Sequence, residues 1–207
     1  MILSMPLRRS FFLGLGLALV GVGCPVLAQE TVRVRGTIES VDGTAYLVKT
    51  RDGETVKLVL GDKPLFVAMV KASMADIKPG MFVGSTAMPD GDGSLRAVEV
   101  HIFPEAMRGA GEGHRPWDLA PQSTMTNANV ETAVTGVGGQ TLTVKYKGGE
   151  KTLKVTSETV VVTYAPGDQA EVKAGTKIFV SGAERKADGT LQTQRVTYGK
   201  DGLTPPM

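Results

Sequence analysis

The chain has 207 residues with one Cys, one Trp and two His, and carries 23 basic against 21 acidic side chains. Residues 1–28 read as an export signal whose removal takes Cys24, Arg8 and Arg9, leaving a formally neutral chain without cysteine. That excludes a disulfide framework, thiolate metal sites and a cysteine nucleophile, and it leaves no electrostatic footprint for a nucleic-acid backbone.

The signal has three parts. Arg8 and Arg9 form a basic start, Phe11–Gly23 an uncharged apolar core, and Val26-Leu27-Ala28 a small-residue site that places cleavage after Ala28. The apolar run falls short of the roughly 20 residues that span a bilayer, so no integral membrane segment is expected after cleavage. Cys24 lacks a Leu three residues upstream and is followed by Pro25, which speaks against lipid attachment. Arg8-Arg9-Ser10-Phe11-Phe12 resembles a twin-arginine signal, although an ordinary secretory start with two arginines accounts for it equally. Either route predicts a periplasmic or secreted protein.

Beyond the signal, the chain reads as an internal duplication at an offset of about 96 residues. Ser40–Lys49 lies over Gly136–Lys145, Asp52-Gly53-Glu54 over Gly148-Gly149-Glu150, and Asp76–Gly80 over Glu171–Gly175. Asp92–Leu95 lies over Asp188–Leu191, so four landmarks recur in the same order.

Each copy reads as β. Val32, Val34 and Ile38 alternate with Arg33, Arg35 and Glu39, the period-two pattern of a half-buried strand. Asp-Gly turns then lead to Tyr46–Thr50 and Val56–Leu60, and Phe82–Ala87 and Leu95–Phe103 form a hairpin across Asp90–Gly93. In the second copy the strands are Glu131–Thr135, Thr141–Lys147, Glu150–Thr156, Val160–Tyr164, Lys177–Ala183 and Leu191–Tyr198. Pro64–Ala75 carries Val67, Val70, Lys71 and Met74 at helical spacing and is predicted as a helical insertion, with a shorter counterpart at Pro166–Val172. Short strands with one insertion per copy predict an all-β chain of two tandem small OB-like β-barrels, closed so that no edges are exposed. The expected units are a first barrel repeat over 29–103, a Gly/Pro-rich linker over 104–129, a second repeat over 130–200 and a tail over 201–207.

The linker is too long for a plain connection. Pro104, Gly109, Gly111, Gly113, Pro116 and Pro121 break regular structure, while Arg115, Trp117 and Asp118 mark a segment expected to dock between the barrels. Potential metal ligands gather here. His101, Glu105, Glu112 and His114 would suit zinc or copper(II), and Met107 and Met125 would favour copper(I), with Asp118 nearby. His101 shares parity with Ala97 and Glu99, opposite Val98, Val100 and Ile102, and is expected to project from the barrel toward the linker. Their spacing matches no ligand motif, and solvated neighbours of a packed Trp117 are the competing reading. No Gly-x-Ser-x-Gly elbow, His-Glu-x-x-His pair or phosphate loop occurs.

The order of strand, Asp-Gly turn, strand, Ile77-Lys78-Pro79-Gly80, apolar strand and Asp92-Gly93-Ser94-Leu95 resembles the tandem small OB-like β-barrel repeats of exported bacterial proteins. Glu112–Leu119 and Ser123–Ala128 look like a subgroup of these often labelled metal ABC transporter permease. The resemblance covers the chain after the signal and implies its fold. The expected function is that of an exported, non-enzymatic binding or interaction module with its site at the linker and the groove between barrels. A periplasmic protein, a glycan or another small ligand would be its partner, with no nucleic acid. The alternative is a periplasmic zinc- or copper-binding protein using His101 and His114.

Overall fold

The computed structural model describes residues 31–136 and 139–207; the predicted signal lies outside the described residues. The described chain is all-β, and its only helical pieces are single 3-10 turns. None of these is long or apolar enough to cross a membrane.

Five strands close a barrel. β1 (Thr31–Asp42), β2 (Ala45–Thr50) and β3 (Thr55–Lys71) form an antiparallel meander through the predicted Asp-Gly turns. The remaining wall is β11 (Lys177–Arg185) and β12 (Leu191–Gly199) from the other end of the sequence. β11 runs antiparallel to β1, with Thr31 opposite Glu184, and β12 runs parallel to β3, with Phe66 opposite Val196. Val34, Ile38, Tyr46, Leu58, Val180 and Tyr198 belong to the core inside this ring. The barrel therefore takes three strands from the first half of the chain and two from the second. This differs from the expected partition into sequence-local barrels, because periodicity says which residues face inward and not which strands pair.

The extra strands follow a related order. β4 (Phe82–Pro89) and β5 (Leu95–Ile102) form the predicted hairpin, and β7 (Thr124–Gly136), β8 (Gly139–Tyr146) and β9 (Gly149–Val155) form a second meander. β4 pairs antiparallel with β7, and β5 meets β9 in parallel over Leu95/Leu153 and Arg96/Lys154. A separate apolar cluster, including Val83, Val100, Val130, Leu142 and Leu153, lies within this group. The linker is more regular than its composition implied. It supplies β6 (Gly113–Pro116), which pairs with β7, and its residues 124–129 are the first part of β7 itself.

The two groups meet at β10 (Val160–Pro166), which pairs antiparallel with the end of β3 and parallel with β5. The helix expected over Pro64–Ala75 is absent: Pro64 to Lys71 continue β3, and only Met74–Asp76 makes a 3-10 turn. Leu65–Val70 is an unbroken apolar run, whose helical and extended spacings cannot be told apart by periodicity. Strand partners on both edges, β12 and β10, decide for the extended form. Pro64 is accommodated because the register with β12 breaks there, between the Leu60/Thr193 and Leu65/Arg195 pairs, with Lys63 at φ 58°. At the Pro166–Val172 counterpart, the helical piece is again one turn, Gln169–Glu171.

Candidate functional site

β5 lies between β4 and β10, so both of its edges are paired. Residues two apart on a strand share a face, which brings Glu99 and His101 together. Both are buried, at 0% and 2% exposure. Glu99 Oε1 accepts hydrogen bonds from the Thr86 backbone N–H at 3.0 Å and the Thr86 hydroxyl at 2.9 Å. His101 Nδ1 lies 3.1 and 3.0 Å from the two Glu99 oxygens. A carboxylate only accepts, so this network assigns the Nδ1 proton to His101 and leaves Nε2 on the opposite side of the ring. His101 is therefore held buried on the side that faces linker residues such as Ala110 and Trp117, edge-on to Phe103 and Tyr164 at centroid distances of 4.7 and 5.8 Å. Burial first, and then the Glu99 charge, push the Tyr164 hydroxyl well above its ordinary pKa, so it stays neutral. It donates to Met207 Sδ at 3.4 Å.

Asn127 enters from β7. Its Nδ2 donates to the Ala110 carbonyl at 2.9 Å, which fixes the amide orientation and leaves Oδ1 buried without a partner. Gly84 on β4 makes room for this meeting. A Cβ built there would stand 2.1 Å from His101 Nε2 and 2.6 Å from Asn127 Oδ1. Gly84→Ala is accordingly expected to destabilise the protein by about 1–3 kcal/mol, the usual range for overpacking. It should also displace the imidazole, which thermal melting and the His101 ring resonances would report.

The linker forms the outer wall. The Trp117 backbone N–H donates to the Ser123 carbonyl, and the Ser123 hydroxyl bridges the Trp117 and Ala120 carbonyls, closing a tight loop over 117–123. The indole packs on a cluster of Met69, Met125, Val162 and Phe179. Over its face stand the guanidiniums of Arg33 at 4.1 Å, Arg115 at 5.6 Å and Arg35 at 5.8 Å. Asp118 bridges Arg35 at 2.8 Å and Arg33 at 3.3 Å, tying the linker to β1. Burial raises the Asp118 pKa, but the Arg35 hydrogen bond and the two arginine charges outweigh it and hold the carboxyl below its ordinary range. Trp117 Nε1 is buried and has no hydrogen-bond partner among the described residues.

These residues line an open-sided cavity of about 290 Å³ between the two strand groups. Its wall includes His101, Asn127, Tyr164, Trp117, Arg115 and Arg195, with apolar surface from Phe103, Phe179 and the methionines at 107, 125 and 207. A larger depression of about 500 Å³ lies around Lys173, Lys177 and Lys200. It is a poorer site: Lys200 is paired with Glu171, Lys177 donates to Thr204, and neither of the two buried unpartnered polar atoms lies there.

The four predicted metal ligands are not brought together. Glu105 pairs with Arg108, Glu112 accepts from the Lys147 N–H, and His114 Nδ1 contacts the Thr126 hydroxyl at 2.8 Å. Burial, then the charges of Lys151 and Arg115, lower the His114 pKa, so its imidazole is neutral at pH 7. Among the described residues, no group of three or more His, Cys, Asp or Glu is placed to hold a metal ion. Met107 and Met125 do share the cavity wall with His101, and Arg115, Trp117 and Asp118 do meet at one place. Sequence reasoning missed Glu99, Asn127, Tyr164 and Arg195. Glu99 had a signal of its own, as a carboxylate inside the apolar run Ala97-Val98-Val100-Ile102.

Comparison with protein-family models, curated proteins and solved structures finds no match to this chain.

Proposed function

We propose that the chain is an exported, non-enzymatic binding module that holds a small ligand in the cavity between its two strand groups. The observation that carries this is the pair of orphaned polar atoms, Trp117 Nε1 and Asn127 Oδ1, both belonging to residues of the cavity wall. A buried polar group without a partner costs about 1–3 kcal/mol, and a ligand offering one acceptor and one donor relieves both. We further read the architecture as two OB-like barrels that have exchanged their last two strands. Support comes from the matching pairing order β1-β2-β3-β12-β11 and β7-β8-β9-β5-β4, each group around its own core. The duplicated sequence landmarks fit this exchange, and the linker then completes the cavity wall.

Metal binding is the second reading, favoured by one feature. The Glu99–His101 pair has the form in which a carboxylate orients an imidazole whose other nitrogen takes a metal.

Trp117 is the only tryptophan in the chain and serves as the reporter. The protein would be titrated with sugars, amino acids, short peptides, small organic acids, Zn²⁺ and Cu⁺, with emission and melting temperature followed together. A ligand of the folded state raises the melting temperature. Binding of an organic ligand supports the first reading; metal binding lost in His101→Ala supports the second. A panel without any response sinks both.

A further inference from the structure

Resting on the reading of the junction cavity as a ligand site, we infer that its occupant is a small carboxylate with an apolar body. The charge inventory around the cavity carries this. Arg115 and Arg195 belong to its wall, and neither makes a salt bridge among the described residues. Arg115 donates to the Gly111 carbonyl at 2.7 Å, and Arg195 Nη2 lies 3.6 Å from Met107 Sδ. The nearby carboxylates are already committed. Glu99 serves Thr86 and His101, and Asp118 is shared by Arg33 and Arg35. Two guanidiniums are thus left facing a partly desolvated space with no counter-charge, an arrangement that repels a metal cation and attracts an anion. Burial and the neighbouring Arg33 both push the Arg115 pKa down, in keeping with a cation short of an anion.

The kind of anion follows from the other walls. A guanidinium presents a planar fork of donors that matches the two oxygens of a carboxylate. Trp117 Nε1–H supplies a further donor for such an oxygen, and Asn127 Oδ1 an acceptor for a hydroxyl or N–H elsewhere on the ligand. Phe103, Tyr164, Phe179 and Trp117 offer aromatic surface to an apolar body, where inorganic phosphate or a free sugar would leave it uncovered. At about 290 Å³ the cavity falls just below the range for drug-sized ligands, which begins at about 300 Å³. A carboxylate bearing one ring or a short chain fills it.

The test uses calorimetric titration of the protein with benzoate and butyrate, each beside its neutral amide. At least one carboxylate is expected to bind at least tenfold more tightly than its amide, with affinity falling as salt is raised. Arg195→Gln should weaken that binding at least tenfold without altering the circular dichroism spectrum. If Arg195→Gln fails to fold, Arg115→Gln gives the same comparison. If an amide matches its carboxylate, or if the arginine variant binds the carboxylate as tightly as the parent, the inference is overturned while the cavity reading stands. If neither carboxylate binds but a neutral ligand of the wider panel does, the inference again fails alone. Silence from every ligand, charged or neutral, removes the cavity reading as well.

Discussion

Glu99→Ala is expected to lower the stability of the protein by about 3–5 kcal/mol, because three buried donors lose their acceptor at about 1–3 kcal/mol each. Two losses combine. The Thr86 N–H and hydroxyl give up their acceptor, and His101 keeps a buried Nδ1 proton with no carboxylate to receive it. Glu99→Leu combined with His101→Leu removes both members and should recover at least half of the deficit, since an apolar replacement of a buried pair is often neutral or better. Denaturant unfolding of the parent and the two variants measures both values. Recovery in the double variant would mean that the pair is not kept for stability, which points to use of His101 Nε2 by a ligand. If the double variant were as unstable as the single one, the pair would be a structural bolt of the β4–β5 hairpin.

Trp117→Ala is the second large effect. Full burial would make a Trp-to-Ala change worth about 3–5 kcal/mol, and a half-buried indole scales that to about 2–3 kcal/mol. For a chain of this length that lowers the melting temperature by about 4–12 °C. The loss has two sources: packing on Met125 and Phe179, and the support the ring gives to Arg33, Arg35 and Arg115. Trp117→Phe separates structure from binding. It retains an aromatic ring and much of the packing but removes Nε1–H, which has no partner among the described residues. Its melting temperature should therefore stay within about 4 °C of the parent, a loss below about 1 kcal/mol. Its affinity for any ligand that uses that donor should drop. A fall in melting temperature as large as that of the Ala variant would show that an aromatic ring alone does not seat the linker.

Much of the strand pattern was legible in the sequence, because turn chemistry and alternation are local. Asp42-Gly43 and Asp52-Gly53 end strands where expected, and Val34 and Ile38 face a core as their spacing predicts. Pro64–Ala75 was misread because a fully apolar run has no polar face to reveal its period, and only the neighbours β10 and β12 settle it. Pairing across the chain was out of reach for the same reason: nothing in Thr31–Asp42 announces that β11 is its neighbour. The linker could be singled out from its Trp117 and its Gly and Pro content. Its partners Arg33 and Arg35 looked like the exposed half of an alternating strand, which is how they would appear without the indole above them. The four predicted ligands are not gathered because sequence proximity near His114 did not become spatial proximity to His101, whose companions come from β4, β7, β10 and β12.

The way the barrel is closed has a consequence in time. On the ribosome β1, β2 and β3 emerge first, yet the strands that seal them are residues 177–199. Until then the meander is an open sheet with two unpaired borders and half a core exposed to water. Such long-range closure is slow, because the entropy of ordering the intervening chain is lost before any contact rewards it. Newly made protein would thus pass through a lengthy interval in which it is sticky and easily degraded. Translation that stopped short of residue 177 would leave the earliest-made portion without its wall, so the damage would fall at the opposite end of the sequence from the lesion.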